Sequence, residues 1–458
     1  MRHSAFSGSI HQLTVAVLVF LSVFLSTDLL TAQKNGDGVE GSDNQKEKKQ
    51  DKPLIDTLTY EMRAGLPIAA SKIYFSDRKF TFSGFGEVNY THYDGPKDRS
   101  SKDIELYNTN LYRFVSYLAY KPKPWLVLYG EVFAEFYQDQ RIENDFEFFL
   151  EFFADFLIHE RFNVRVGTHQ VQIGFVNNND EPIQFYSVNR PEVERVIIPS
   201  QWIDLGIMTY GAISKDLSYS LSIYQGLDPS VYNGGTWIRR GRGDEFRGAF
   251  NSALLNGQLE YSGMKNTTIS LSGLYTQARD MDGKEDFAAD TWLVSSYIRN
   301  SWKNWTFMAL GSVGGMGSTP SIHSFTGFSS GENGTLSGQV LGSRVYGYYA
   351  EVGYDILPLF RKGKAKTSKG NWLYRSNELK LPLFVRYERL NTHAEIHPEL
   401  VDLERFQTDL TAITVGLNFN PRKNVVFKTN YQFRINPIEL PTGELEGNRF
   451  EVGLGFIF

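Results

Sequence analysis

Cysteine is absent from the 458 residues. That excludes a disulfide framework, a thiolate metal site and a cysteine nucleophile. Long apolar runs are missing too. Past the first 33 residues no stretch approaches the roughly eighteen apolar residues that a helical span requires, so a membrane could be entered only by strands. Charge of one sign is scarce, and a net charge of −5 gives no reason to expect a nucleic-acid partner. Catalytic signatures are also lacking. His169, His323, His393 and His397 are scattered, and no nucleophile elbow, phosphate-cradling glycine loop or calcium-loop motif occurs. The expectation is a protein without enzymatic activity, metal or cofactor.

What the chain does hold is 34 Phe, 25 Tyr and 41 Gly, a mixture that suits strands joined by turns. At the start, Arg2 and His3 precede an apolar run over 13–25 broken only by Thr14 and Ser22, and Thr31, Ala32 and Gln33 follow. This reads as a signal peptide over residues 1–33, cut after Ala32. The next stretch, KNGDGVEGSDNQKEKKQDKP, is polar and charged and cannot bury enough surface to offset its ordering entropy. Residues 34–75 are therefore expected to be a disordered periplasmic tether ahead of a folded unit over 76–458.

Within that unit, period-two alternation over about ten residues recurs, the signature of a transmembrane β-strand. The last segment is clearest. Phe450, Val452, Leu454, Phe456 and Phe458 share one face, with Arg449, Glu451, Gly453 and Gly455 on the other. Elsewhere Phe427, Tyr431 and Phe433 oppose Lys428, Asn430, Gln432 and Arg434, and Phe146, Phe148 and Phe152 oppose Glu147, Glu151 and Asp155. A packed core could not satisfy such charges, whereas a watery lumen can. Sixteen segments of this kind are predicted, from 79–91 to 449–458. The turns at 121–124, 159–160, 216, 263–266, 301–302 and 420–423 are tight, and the connections between them are mostly long. The prediction is an all-β, sixteen-stranded antiparallel transmembrane barrel with short periplasmic turns and long outer loops. Trp125, Trp302, Trp305 and Tyr120 beside the tight turns suit an interfacial girdle. One connection departs from the rule: 357–377 falls on the short-turn side yet carries six basic residues and no acid.

The third outer connection, 174–202 (GFVNNNDEPIQFYSVNRPEVERVIIPSQW), is too long and too proline-broken to be a strand. An irregular loop of about thirty residues in a compact fold is uncommon and usually functional. It is expected to fold into or over the barrel mouth and set what passes. Its Arg190 and Arg195 are outnumbered by Asp180, Glu181, Glu192 and Glu194. On the strands, parity turns Arg113, Arg161, Arg165, Glu131, Glu135, Glu147, Glu151 and Asp155 inward on the early segments and Arg386, Lys428 and Arg434 on the later ones. Two readings stay open for them. Opposed acidic and basic walls would set a transverse field across a pore, or the charges pair across strands and merely solvate the wall. In the next long loop Arg239, Arg240 and Arg242 could grip phosphate or carboxylate bidentately, bind lipopolysaccharide phosphates, or keep the loop soluble.

Four stretches, 164–175 (VRVGTHQVQIGF), 349–357 (YAEVGYDIL), 384–391 (FVRYERLN) and 424–431 (NVVFKTNY), resemble in order and spacing the phosphate-selective porin O and P family of sixteen-stranded outer-membrane barrels. The resemblance spans about residues 75–458. It implies that 174–202 is an inward-folded constriction loop, that basic residues line an anion path, and that the protein is a homotrimer. Thr168 and Gln170 stand where the family carries an arginine and a lysine, so part of that basic lining is missing. The expected function is a passive diffusion channel for small hydrophilic, anionic solutes, with outer-membrane lipid and lipopolysaccharide as neighbours. The rival is a structural or adhesive barrel plugged by its loops and tethered to the cell wall.

Overall fold

The computed structural model describes residues 58–97, 99, 103–139, 143–242, 252–279, 288–329, 339–360, 378–438 and 445–458. The expected signal peptide, the first part of the expected tether and most of the basic 357–377 connection lie outside them. Only the helical turn Leu357–Phe360 of that connection is described.

Sixteen strands follow one another along the chain. The first five are β1 (Phe80–Asp94), β2 (Asn110–Lys123), β3 (Leu126–Asp139), β4 (Glu143–His159) and β5 (Phe162–Gln170). Next come β6 (Ile203–Ala212), β7 (Leu217–Gln225), β8 (Ala253–Tyr261), β9 (Thr267–Arg279), β10 (Ala288–Trp302) and β11 (Trp305–Met316). The last are β12 (Arg344–Asp355), β13 (Pro382–Glu395), β14 (Asp409–Arg422), β15 (Val425–Ile435) and β16 (Asn448–Ile457). Each pairs antiparallel with the next, and β1 pairs with β16 from Phe85↔Ile457 to Asp94↔Asn448, so the sheet closes on itself without an edge. All sixteen predicted segments are strands, displaced by a few residues at their ends. The largest displacements are in β13, predicted over 378–390, which starts four residues later and ends five later. There Lys380 makes only an isolated bridge to Asn420, and the ladder begins at Pro382.

The alternation settles which face meets lipid. Large apolar side chains are exposed on the outside of every strand, among them Phe82, Tyr112, Leu128, Phe152, Val166, Ile207, Leu221 and Leu255 on the first half. Leu271, Val294, Phe307, Tyr348, Val385, Val415, Phe427 and Phe450 continue the belt to its closure. A continuous apolar belt around a closed barrel, far beyond the patch a soluble monomer exposes, is a lipid-facing surface. Trp125, Trp302 and Trp305 are exposed at its short-turn rim, where an amphipathic ring meets the headgroups.

Among the described residues, two segments account for much of the filling. The first is the connection 171–202, the constriction loop, buried over nearly its whole length. It turns at Gly174, whose φ of +72° favours glycine and whose Cβ would meet Glu194 Oε2 at 2.9 Å. Val171, Ile173, Val193, Ile197 and Trp202 join Leu254, Leu274, Leu293, Leu310, Tyr349 and Leu390 on the inner faces of β8 to β13 in one apolar cluster. Trp237, from the connection after β7, closes it. The loop is thus welded to one side of the lumen by ordinary core packing.

The second is 58–75, whose expected place is the end of a disordered tether. It is packed instead inside the short-turn end of the barrel. Leu66, Ile68, Ala69, Ala70 and Ile73 are buried against Phe85, Val115, Val127, Tyr129, Phe133 and Phe153 on the inner faces of β1 to β4. Unlike the polar stretch before it, this segment carries enough apolar area to offset its ordering.

Candidate functional site

Once across the lumen, the constriction loop is bonded to the opposite wall. Asn418 Nδ2 donates to the Tyr186 carbonyl (2.9 Å), Lys428 Nζ to the Ser187 carbonyl (2.9 Å), and the Val188 amide donates to Asn430 Oδ1 (2.8 Å). Asn189 Nδ2 donates to Glu451 (2.7 Å) on β16 and to Thr91 (3.1 Å) on β1. The loop is a strap held at both ends.

Its carboxylates explain how so acidic a segment stays buried. Glu194 accepts the Phe175 and Val176 amides (2.7 and 2.6 Å) and the Tyr349 hydroxyl (2.7 Å), which staples the loop's first turn. Glu192 is ion-paired with Arg449, with Arg434 (3.3 Å) and with Arg195 (3.2 Å). Burial opposes its charge, but Arg449, Arg434 and Arg195 hold the carboxyl well below the usual range. Glu181 accepts the Ala69 and Ile68 amides (2.6 and 3.2 Å) of the segment packed inside the short-turn end. Burial pushes Glu181 up to about 8 and its neighbour Asp180 up to about 6.

Arg190 is the least engaged cation of the strap. Its Nη1 lies 3.6 Å from Glu105, and its buried Nε and Nη2 have no hydrogen-bond partner among the described residues. Burial, with repulsion from Arg113, draws its guanidinium down to about 10. Between strap and wall at this level is a void of about 10 Å³ lined by Glu87, Glu105, Arg113, Tyr137, Arg190 and Arg195. A space of that size holds about one water. Toward the short-turn end the lumen widens into cavities of about 660 and 410 Å³, which share Phe175, Gln184 and Arg299 as lining.

The predicted luminal charges do not form opposed acidic and basic walls; they pair along the register. Glu87, Arg113, Glu135 and Glu147 are successive cross-strand partners on β1 to β4. Arg113 is ion-paired with Glu87 (2.8 Å) and with Glu135. Arg165 pairs with its register partner Asp155 (3.0 Å). Arg386 pairs with Glu351 (3.2 Å), again its partner, and with Glu388 (2.8 Å), and it donates to the strap's Ser187 (2.6 Å). Arg434 pairs with Glu446 and Glu192. Glu131 and Glu151 are buried and directly opposite each other, while Glu147 is half-buried. Arg161 is a correction. It sits exposed in the two-residue turn between β4 and β5, where the chain reverses, and so cannot reach the constriction.

The arginine loop is a second correction. Arg239 is fully buried and committed to Asp103 (2.8 Å), Glu105 and the Arg195 carbonyl (2.9 Å). Arg242 donates to the Ser200 carbonyl, and Arg240 alone of the three is exposed. Rather than a free anion clamp, Arg239 and Arg242 fasten the neighbouring connection to the strap. Glu105, in the helical turn Ile104–Tyr107 between β1 and β2, is the hub. Burial opposes its ionisation, and Arg239, Arg242 and Arg190 hold it at about 2. Glu87, Glu105, Glu351, Glu388, Glu446 and Arg449 all serve the site without having been singled out from sequence; the inward parity of Glu87, Glu351, Glu388 and Arg449 was the available signal.

No family model matches the chain, so the resemblance to the phosphate-selective porins gains no support there. An uncharacterised protein of Aquifex aeolicus (strain VF5) is 24% identical over 381 residues, covering 82% of this chain and 81% of that protein. Among solved structures, the outer membrane channel DcaP of Acinetobacter baumannii is similar at 11% identity and a TM-score of 0.47, over 83% of this chain and 97% of that one. The anion-selective porin from Comamonas acidovorans has the same identity at a TM-score of 0.45, over 83% and 99%. The barrel assignment itself rests on the strand register and exterior belt described above.

Proposed function

We propose that the protein is a passive diffusion channel of the outer membrane for small hydrophilic solutes, with an anion preference set at Arg190. The observation that carries this is the strap, bonded to the wall on both sides, which presents a buried and incompletely paired guanidinium beside a void of about 10 Å³ inside the barrel. Arg113 and Arg195 beside it are matched by Glu87, Glu135 and Glu192, so Arg190 is the cation left to favour anions there. The likeness of four segments to the phosphate-selective porins supports small oxyanions as the solute class. No turnover is involved. Solutes are sorted by size at the strap and by charge at Arg190.

Purified protein reconstituted in a planar bilayer should give stepwise conductance and, in a salt gradient, an anion-selective reversal potential. Arg190→Gln should move that potential toward zero while leaving folding intact. A cation preference in the parent would overturn the assignment to Arg190. The dense packing of strap against wall favours a second reading, a structural barrel plugged by its own loops. It requires a sealed membrane at high protein load.

A further inference from the structure

We propose that residues 58–75 are a displaceable plug, latched to the constriction loop through Glu181, that obstructs the short-turn end of the lumen and must leave for full conduction. This rests on the channel reading, since a plug needs a path to obstruct. Four observations carry it. The first is hydrogen-bonding independence. The backbone–backbone bonds of the segment close within itself, from Leu66→Arg63 to Tyr74→Ser71 around the short 3₁₀ turn Ala70–Ile73, apart from Ser76→Ile73 at its end. No strand pairs with it, so its departure breaks no ladder bond of the barrel.

Second, the polar ties from the segment to the barrel and strap each involve a side chain. Glu181 takes the Ala69 and Ile68 amides, Ser83 Oγ donates to the Ala69 carbonyl (2.6 Å), Lys72 Nζ donates to the Phe82 carbonyl (2.9 Å), Tyr74 donates to Asp155 (2.6 Å) and Arg63 to Tyr210 (3.2 Å), and Lys423 lies over the Tyr60 ring. Third, one flank of the segment is not packed. Glu61, Met62, Arg63, Ala64, Gly65 and Phe75 face the cavity of about 660 Å³, whereas a permanent core element is packed on all sides. There is room for it to move into.

Fourth, the latch lies on the strap. Glu181 is only nine residues before Arg190 in the chain. Release of Ile68 and Ala69 therefore removes two of the bonds held by the strap's leading turn, while residues 186–189 stay bonded to Asn418, Lys428, Asn430, Glu451 and Thr91. The barrel's inner wall here, with Phe85, Val115, Val127, Phe133 and Phe153, is apolar where a water-filled vestibule would be polar. It is a seat shaped for this segment.

The chain has no native cysteine, which makes the test clean. A single Ala70→Cys would report docking through its reaction with a membrane-impermeant maleimide in the full-length protein, with conductance recorded in parallel. Adding Glu181→Ala, or Ile68→Ser as a second unlatching change, should speed labelling about tenfold and raise open probability in step, a shift equivalent to about 1.4 kcal/mol. An oxidised Ala69→Cys with Ser83→Cys pair should suppress conductance until reduced. Labelling and conductance equal in parent, unlatched and cross-linked proteins would overturn the plug. Faster labelling in the unlatched variants with no conductance in any protein would instead sustain displacement and sink the channel reading.

Discussion

At the scale of single residues, the constriction loop is held by buried carboxylates whose worth depends on what they pair with. Glu192 neutralises three guanidiniums, those of Arg449, Arg434 and Arg195. Removing one partner of a buried ionic cluster leaves charge uncompensated and typically costs about 3–5 kcal/mol. Glu192→Ala should therefore lower the unfolding free energy from denaturant titration by an amount in that range, whereas Glu399→Ala, in an exposed connection, should leave it within about 0.5 kcal/mol. Glu181 and Asp180 behave in the opposite sense. Their native values of about 8 and about 6 lie above ordinary values of 4.5 and 3.8, so the folded loop keeps protons that the unfolded chain releases. Their contribution to stability is then complete below pH about 4 and is lost as pH rises through about 6 and then about 8. Thermal unfolding in detergent should show the midpoint falling between pH 4.5 and 8, and Glu181→Gln should flatten the upper part of that fall.

At the scale of elements, the strands were legible because lipid on one side and water on the other impose a strict period of two, as Phe450 to Phe458 shows without any partner in view. Inward parity was legible as well, and it correctly turned Arg113, Glu135, Asp155 and Arg386 to the lumen. Pairing was not, because it depends on the stagger between strands, which alternation leaves free. Only the register sets Glu87, Arg113 and Glu135 in one row and so decides, for these three, between the two readings left open in favour of pairing. The packed segment 58–75 escaped notice for a related reason. Phe133, Phe149 and Phe153 are inward-facing apolar residues on β3 and β4 that ask for a covering partner, but nothing in their spacing names it. The row makes its own prediction. Arg113→Ala and Glu135→Ala should be non-additive by about 0.5–3 kcal/mol in a double-mutant cycle of unfolding, as contacting residues are. Additivity within about 0.3 kcal/mol would mean that the two charges are solvated separately.

At the scale of the whole molecule, the closed wall encloses, among the described residues, the strap welded to β8 to β13 and the segment seated on β1 to β4, and the proposed passage runs beside the strap. Because most luminal arginines are matched by carboxylates, the net field along that passage is weak and comes from the few imperfectly paired groups, Arg190 first. Such a field is sensitive to screening in a way that steric exclusion is not. The Debye length falls from about 10 Å at 0.1 M salt to about 3 Å at 1 M. At a fixed salt ratio across the membrane, the reversal potential should therefore shrink markedly as mean salt rises over that range, while the size limit for neutral solutes stays constant. Selectivity that persists undiminished at 1 M would locate discrimination in direct ligation of the solute by the strap, because contact at hydrogen-bond distance lies inside even the shortest screening length.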